Sequence, residues 1–232
     1  AGGVAGTDIT TGLPRIEEIF EKRIPKNSAI VSQTSGMVVE IIDEEKEKVI
    51  KILGDKETGS KSAEMEYKMA FNRVPLVKVG DSVLKGELLT DGSADIAEIF
   101  KYGSMEMAED YIIREINKVY ELQSASISKK HIEIIVRQMF SRRKITDSGQ
   151  TNFSVGDIVE NSALIEENFR MDKLTSKGVN TNEINVNAKA ETVVLGITEV
   201  SLRTKSWLSA ASFQNTNRVL IENAIKGGED SL

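Results

Sequence analysis

The sequence predicts an α+β protein in which a small antiparallel, barrel-like β domain is inserted into a mainly helical body. Three observations carry this expectation. Residues 28–90 are filled with β-branched runs broken by glycines, apolar residues recur at three- and four-residue spacing from Asp95 onward, and that helical spacing returns behind Ser128, Ser162 and Ser206. The 232 residues are about one and a half units of ~150 residues, enough for a sizeable core. Shifts in composition divide them into 1–27, 28–93, 94–145 and 146–232.

Residues 1–11 are rich in Gly and Thr and read as a loop leading into a short helix over 13–23, with Pro14 at its start, where a missing N–H costs nothing. Ala1 is not Met and stands within a glycine-rich stretch, so an excised piece of a longer chain is expected. Residues 29–31, 37–42 and 48–53 predict strands, the last two forming a hairpin across the charged stretch 43–47. Residues 67–71 and 75–79 predict further strands, and Gly80 and Gly86 suit turns that need positive φ. One long amphipathic helix is expected over 95–123, burying Ala108, Tyr111, Ile112, Ile116, Val119 and Tyr120. A second, capped by Ser128, carries Ile132, Ile135, Val136, Met139 and Phe140 and ends in Arg142-Arg143-Lys144. Val155-Gly156-Asp157-Ile158-Val159 repeats the Val-Gly-Asp-x-Val of 79–83, which predicts two copies of a strand–turn–strand device. Helical signals cover 162–175, the polar stretch 179–187 reads as a loop, and a last helix is expected over 206–226, stopped by Gly227-Gly228. Joints at 54–60 and 179–187 suit independent motion of the parts.

Thirty Lys and Arg against 36 Asp and Glu give a net charge of −6, with 40% apolar and 28% charged residues, an ordinary globular composition. Mild acidity counts against a freestanding nucleic-acid binder but leaves room for a local basic face. The absence of Cys excludes disulfides, thiolate metal sites, iron–sulfur clusters and Cys nucleophiles. His131 is the only histidine, so multi-His metal sites are excluded and hydrolase chemistry would have to run through that one residue. No apolar run approaches the ~18 residues of a membrane span, and the N-terminus has no signal-peptide pattern. A cytoplasmic protein without membrane partners is expected.

His131 has no partner at metal-ligand spacing and reads as a surface or structural residue, and the carboxylates at 43–47 and at Glu106, Glu109 and Asp110 read as solvated charge. Gly2-Gly3-Val4-Ala5-Gly6 lacks the Gly-Lys-Ser/Thr ending of a phosphate loop and reads as a hinge. The pattern Gly80-Asp81-x-Val83-x-x-Gly86-x-x-Leu89 resembles the turn signature of biotinyl and lipoyl carriers, with Lys68 the nominal attachment site. A standalone barrel-sandwich carrier or protein-interaction module is the alternative this supports. Basic residues gather at Lys129, Lys130, Arg137, Arg142, Arg143 and Lys144, and again at Arg203 and Lys205 before a helix start, a placement suited to phosphate contact.

Three stretches, in order along nearly the whole chain, resemble the β′ subunits of bacterial DNA-directed RNA polymerases. Residues 2–15 with Phe20-Glu21-Lys22-Arg23 are similar to the segment just after the trigger loop. Val119-Tyr120-Glu121-Leu122-Gln123 with 130–139 is similar to a region further along. Leu195-Gly196-Ile197-Thr198 through Ser206-Trp207-Leu208-Ser209-Ala210-Ala211-Ser212-Phe213-Gln214 is similar to switch 1 and the helix that follows.

The resemblance implies trigger-loop base and connecting helix over 1–27, a jaw flanking downstream DNA over 28–93, a cleft and clamp-base segment over 94–145, and switch 1 within 146–232. It implies transcription as a nucleotidyltransferase part, with the β, α, ω and sigma subunits, the rest of β′, and template and downstream DNA as partners. The family's catalytic Asn-Ala-Asp-Phe-Asp-Gly-Asp motif is absent, so the fragment alone is expected to be inactive and to hold no cofactor, with Mg2+ and Zn2+ belonging to the full enzyme. Expected DNA contacts are Arg203, Lys205, Ser206, Lys68, Arg73 and Arg23, and expected switch residues are Thr198, Glu199, Ser209, Ser212 and Phe213. Glu199 stands where the family commonly has Lys and would repel a template phosphate, so Arg203 is expected to take over that contact.

Overall fold

Residues 12–26, 28–43, 47–54, 64–176, 187–204, 206–213, 216–227 and 230 are described by a computed structural model. The fold is α+β, as expected, and divides into two compact units, Ala1–Glu133 and Ile134–Leu232.

In the first unit, α1 (Leu13–Phe20) has Pro14 in its first turn and buries Arg15, Ile16 and Ile19. An antiparallel sheet follows, made of β1 (Gly36–Asp43), β2 (Glu47–Gly54), β3 (Glu64–Ala70) and β4 (Ser82–Val83) in the order β3-β2-β1-β4. Alternation sends Val38, Ile50, Ile52, Tyr67 and Met69 into one core with Val77, Val83 and Leu89. The opposite face carries a charged ladder, with Lys51 Nζ 3.2 Å from Glu40 and 3.9 Å from Glu66. Pairing steps from Val38↔Ile52 to Glu40↔Lys51, so Val39 is the extra residue of a bulge. The expected strands at 29–31 and 75–79 reduce to single bridges, Val31↔Leu88 and Pro75↔Thr90. Pro75 has no N–H with which to extend a ladder.

Among the described residues the repeated glycine turn occurs three times rather than twice. Lys78-Val79-Gly80-Asp81, Leu84-Lys85-Gly86-Glu87 and Ser154-Val155-Gly156-Asp157 each place glycine at positive φ (94°, 85° and 95°). In each, the acidic residue's N–H donates to the first residue's carbonyl at 3.1 Å. Its carboxylate then accepts from that residue's N–H at 2.8, 2.9 and 2.8 Å. Each turn also clips onto a neighbouring segment through two backbone bonds of 2.8–2.9 Å, on Val38, Ser32 and Ile145 respectively. The glycines supply the conformation of a type II turn and the acid closes its open end.

The single helix expected over 95–123 is two, α2 (Ile96–Tyr102) and α3 (Met105–Leu122). Gly103 leaves helical geometry at φ −96°, ψ −125°, and Ser104 then caps α3 by accepting from Met107 N–H. Asp95 caps α2 through Ala97 N–H. Helix α3 packs against both α1 and α2. Helix α4 (Lys129–Met139) begins just after Ser128, and residue 133 closes the first unit within it.

In the second unit the basic run is not a helix end. Arg142-Arg143-Lys144 opens β5 (Arg142–Asp147), the central strand of an antiparallel sheet in the order β6-β5-β7 with β6 (Ile158–Glu160) and β7 (Lys189–Val193). Helix α5 (Asn161–Ser176) joins β6 to β7, residues 177–186 lying outside the described residues together with 55–63. Leu195 N–H donates to Met139 O at 2.9 Å, leading into α6 (Ile197–Leu202). The last expected helix is broken into α7 (Trp207–Phe213) and α8 (Thr216–Lys226). Thr216 Oγ1 donates to Ala211 O at 2.8 Å, so a side chain takes a carbonyl at the end of α7.

Candidate nucleic-acid interface

The site is built around the last turn of α6, where Arg203 N–H is shared between Glu199 O and Val200 O and donors within the helix run short. Arg142 supplies further donors from β5. Its Nε donates to Arg203 O at 3.2 Å and its Nη2 to Val200 O at 3.4 Å, while Nη1 donates to Ser141 Oγ at 2.9 Å. Nη2 also lies 3.2 Å from Glu160 Oε1 on β6, directly across the strand pair. The side chain is 6% exposed. A cation held at a helix C-terminus is favoured by the partial negative charge there, and a planar guanidinium can bind several acceptors at once.

On the outer side of α6, Glu199 and Arg203 form an ion pair one turn apart, Nε to Oε1 3.0 Å. Both are nearly half exposed, 44% and 45%. The carboxylate expected to repel a phosphate is thus neutralised by the residue expected to bind one. Thr198 lies in the first turn of α6. Lys205 lies outside the described residues.

At the start of α7, Ser206 Oγ accepts from Ser209 N–H at 3.1 Å and donates to Asp230 Oδ2 at 3.2 Å. Asp230 Oδ2 in turn accepts from Leu208 N–H at 2.8 Å, so a carboxylate already occupies this helix start. The run Ser209-Ala210-Ala211-Ser212 divides by face. Ala210 and Ala211 are buried, whereas Ser209, Ser212 and Phe213 are exposed, with Ser212 Oγ donating to Ser209 O at 2.7 Å. Small side chains therefore serve packing within this unit, and the outward face is hydroxylic with one aromatic ring.

The expected contacts in the first unit each have their own local partner. Lys68 is an exposed residue on the edge strand β3, opposite Val49 and 3.8 Å from Glu47 Oε2. It sits inside a strand rather than in a hairpin turn, so the attachment geometry of a carrier is absent, which corrects that alternative. Arg73 Nη1 donates to Asp91 O at 2.7 Å beneath the turn at Gly92, and Arg23 Nη2 lies 2.6 Å from Glu17 Oε1 on the surface. Of the basic cluster, Lys130, Arg137 and Lys144 are exposed, Lys129 is 3.5 Å from Glu133, and Arg143 donates to Phe140 O and Arg142 O. His131 is exposed on α4. Among the described residues no group of three or more His, Asp or Glu could hold a metal ion, and no helix is long and apolar enough to cross a membrane.

Two arginines were not legible as structural centres. Arg142 sits in a run of three cations whose local pattern gives no sign that the first points inward. Arg15 is buried in α1, where Nη1 donates to Glu18 at 2.8 Å and Nη2 to Tyr111 Oη at 3.3 Å and to Glu115 at 3.5 Å. Burial alone would lower the Arg15 pKa. The hydrogen bond to Glu18 and the electrostatic pull of Tyr111, Glu18 and Glu115 outweigh it and raise the pKa, which keeps the guanidinium charged. Burial first, and Glu115 second, push the Tyr111 hydroxyl above its ordinary value, which keeps it neutral.

Comparison with known proteins adds what geometry cannot. Residues 1–205 match the family model of RNA polymerase Rpb1, domain 5. The whole chain is 42% identical over 232 residues to the DNA-directed RNA polymerase subunit beta′ of Bacillus pumilus (strain SAFR-032), and 40% identical over 232 residues to that of Bacillus subtilis (strain 168). That of Shouchella clausii (strain KSM-K16) is 42% identical over 234 residues. The chain spans 18% of the length of each of these subunits.

Proposed function

The chain belongs to the RNA polymerase Rpb1 domain 5 family, and from that premise we propose that it works as part of the β′ subunit of a bacterial DNA-directed RNA polymerase. The observation that carries this reading is similarity that runs through the entire chain at about two residues in five, not one shared motif. Its role is to hold DNA and to move with the clamp, not to perform the chemistry. The family's Asn-Ala-Asp-Phe-Asp-Gly-Asp motif does not occur in this sequence. The metal ions that the polymerase needs are assigned to the rest of the enzyme. The partners are the remaining β′ chain, the β, α, ω and sigma subunits, and template and downstream DNA, in the cytoplasm.

A polymerase must hold DNA of any sequence, so its contacts fall on phosphates. Arg203 is the cation of the α6–α7 segment best suited to this. Its side chain is nearly half exposed and, among the described residues, tied only to an exposed carboxylate on its own helix, a pairing worth little in water and readily exchanged for a phosphate. Arg142 is committed to holding α6, and Asp230 to the start of α7. The sheet of residues 36–83 serves as the jaw, and Lys68 and Arg23 are its outlying contacts with downstream duplex. Arg73, turned onto Asp91, shapes the loop instead.

The test replaces the matching part of the Bacillus subtilis β′ subunit with these 232 residues and follows the lifetime of promoter open complexes against salt. Arg203→Ala should shorten the lifetime and lower the steepness of its salt dependence by about one phosphate contact. An unchanged salt dependence would remove Arg203 from the interface.

A further inference from the structure

A second buried junction, in the first unit, is not used by the α6–α7 interface. Three chain segments meet at the Tyr111 hydroxyl. Its oxygen accepts from Ala94 N–H at 2.8 Å and from Arg15 Nη2 at 3.3 Å, so both of its lone pairs are engaged. Tyr111 belongs to α3 and Arg15 to α1, while Ala94 lies where the chain leaves the sheet domain and enters α2. Glu115, one turn beyond Tyr111, receives the same guanidinium at 3.5 Å. Tyr111 and Ala94 are each 3% exposed and Arg15 is 5% exposed, so water does not substitute at the hydroxyl.

The root of the sheet domain is closed just beside this point. Ala29 N–H donates to Ser93 O at 2.8 Å, Leu89 N–H to Ile30 O at 2.8 Å, and Ile30 N–H to Thr90 Oγ1 at 3.0 Å. The entering and leaving segments are thereby held together. A shift of that root reaches α1 through one hydroxyl and one guanidinium. Buried polar networks of this kind have few alternative arrangements, because each lost partner leaves a desolvated donor behind.

Resting on the function proposed above, we infer that Arg15 and Tyr111 are positioning residues that couple the jaw's hold on downstream duplex to nucleotide addition at the active centre. The jaw root is one input. The output is α1, which continues directly from residues 1–11, the stretch similar to the segment behind the trigger loop. Neither residue touches substrate. Each acts by fixing where α1 sits against α3 and Ala94.

The experiment uses polymerase reconstituted with these 232 residues in place of the matching part of the Bacillus subtilis β′ subunit. Single-turnover nucleotide addition is measured on assembled RNA–DNA scaffolds carrying either a long downstream duplex that reaches the jaw or a short one that does not. With the unaltered chain the two rates should differ several-fold. Tyr111→Phe keeps the ring and removes only the acceptor, and it should bring the ratio to one while leaving the short-duplex rate unchanged. Arg15→Lys, which keeps the charge but cannot span Glu18, Tyr111 and Glu115 together, should do the same, and the double variant should add nothing further. The inference is overturned if the Tyr111→Phe ratio equals that of the unaltered chain. It is also overturned if the unaltered chain shows a ratio of one, or if Tyr111→Phe slows both scaffolds equally, as a merely structural defect would. If the unaltered replacement supports no transcription while the parent enzyme does, the functional reading falls, and the coupling with it.

Discussion

Replacing Arg142 with Met removes the guanidinium and keeps the buried stem, so it isolates the hold of β5 on α6. The lost contacts are donations to Arg203 O at 3.2 Å, Val200 O at 3.4 Å and Ser141 Oγ at 2.9 Å, and an ion pair with Glu160 at 3.2 Å. Hydrogen bonds to a charged group contribute about 1.5–3 kcal/mol each, and breaking a fully buried ion pair costs about 3–5 kcal/mol. Both carbonyl contacts are long, and Glu160 is 27% exposed and can be rehydrated. Neither range applies in full, and contacts that share one guanidinium do not add, so the expected cost is about 2–4 kcal/mol, borne mainly by α6. Amide hydrogen exchange reads this locally. Val200 N–H donates to Gly196 O at 2.9 Å and Arg203 N–H to Glu199 O at 3.1 Å, and both bonds open when α6 frays. At about 1.36 kcal/mol per tenfold, exchange at these amides should accelerate roughly 30-fold to 1,000-fold. Arg142→Lys should fall between the two, since it keeps the charge at the helix end but not the fork. Unchanged protection at Val200 and Arg203 in a folded Arg142→Met protein would refute this role.

The three glycine turns make a graded prediction. Gly80→Ala and Gly156→Ala meet open space and suffer only the positive φ, about 1–2 kcal/mol each, whereas Gly86→Ala also drives its new carbon to 2.5 Å from Gly103 Cα and should cost distinctly more in urea denaturation. Glu167 accepts two hydrogen bonds from Arg170, at 2.8 and 2.6 Å, and these hold its carboxyl below the usual range. Its stabilising contribution is present above the unfolded carboxyl pKa of ~4.3 and is lost as pH falls through the lower folded value, so Glu167→Gln should lower stability at neutral pH, leave the lowest pH little changed and thereby flatten the acid limb of a stability–pH curve. Tyr111 works in the opposite direction at high pH. Its raised pKa contributes stability that is complete below about pH 10 and lost as pH rises toward the folded value, a loss that Tyr111→Phe should abolish.

What the sequence showed followed local chemistry. The 37–53 hairpin, α4, α5 and the glycine turns were legible because alternation, helical spacing and positive-φ glycines each act over a few residues. The break between α2 and α3 was not, although Gly103-Ser104 stands in plain view. A glycine inside a helical pattern is tolerated until something needs its missing side chain, and here that is the close approach of Gly86, 3.2 Å from where a Cβ would stand on Gly103. Strand β7 was missed because Lys189-Ala190-Glu191-Thr192-Val193 has only weak apolar alternation and owes its place to pairing with β5. For the candidate site, the sequence singled out a segment but not the division of labour within it. Exposed Arg203 and buried Arg142 are both arginines in basic neighbourhoods, and only the carbonyls at the end of α6 distinguish them.

The most direct test of the account is to purify RNA polymerase activity from the organism that makes this chain and to identify its largest polypeptides by mass spectrometry. The account predicts peptides from all of residues 1–232 in a single large polypeptide that co-purifies with β and with template-dependent RNA synthesis. Peptides of this chain in a separate small protein, with active polymerase free of them, would contradict it.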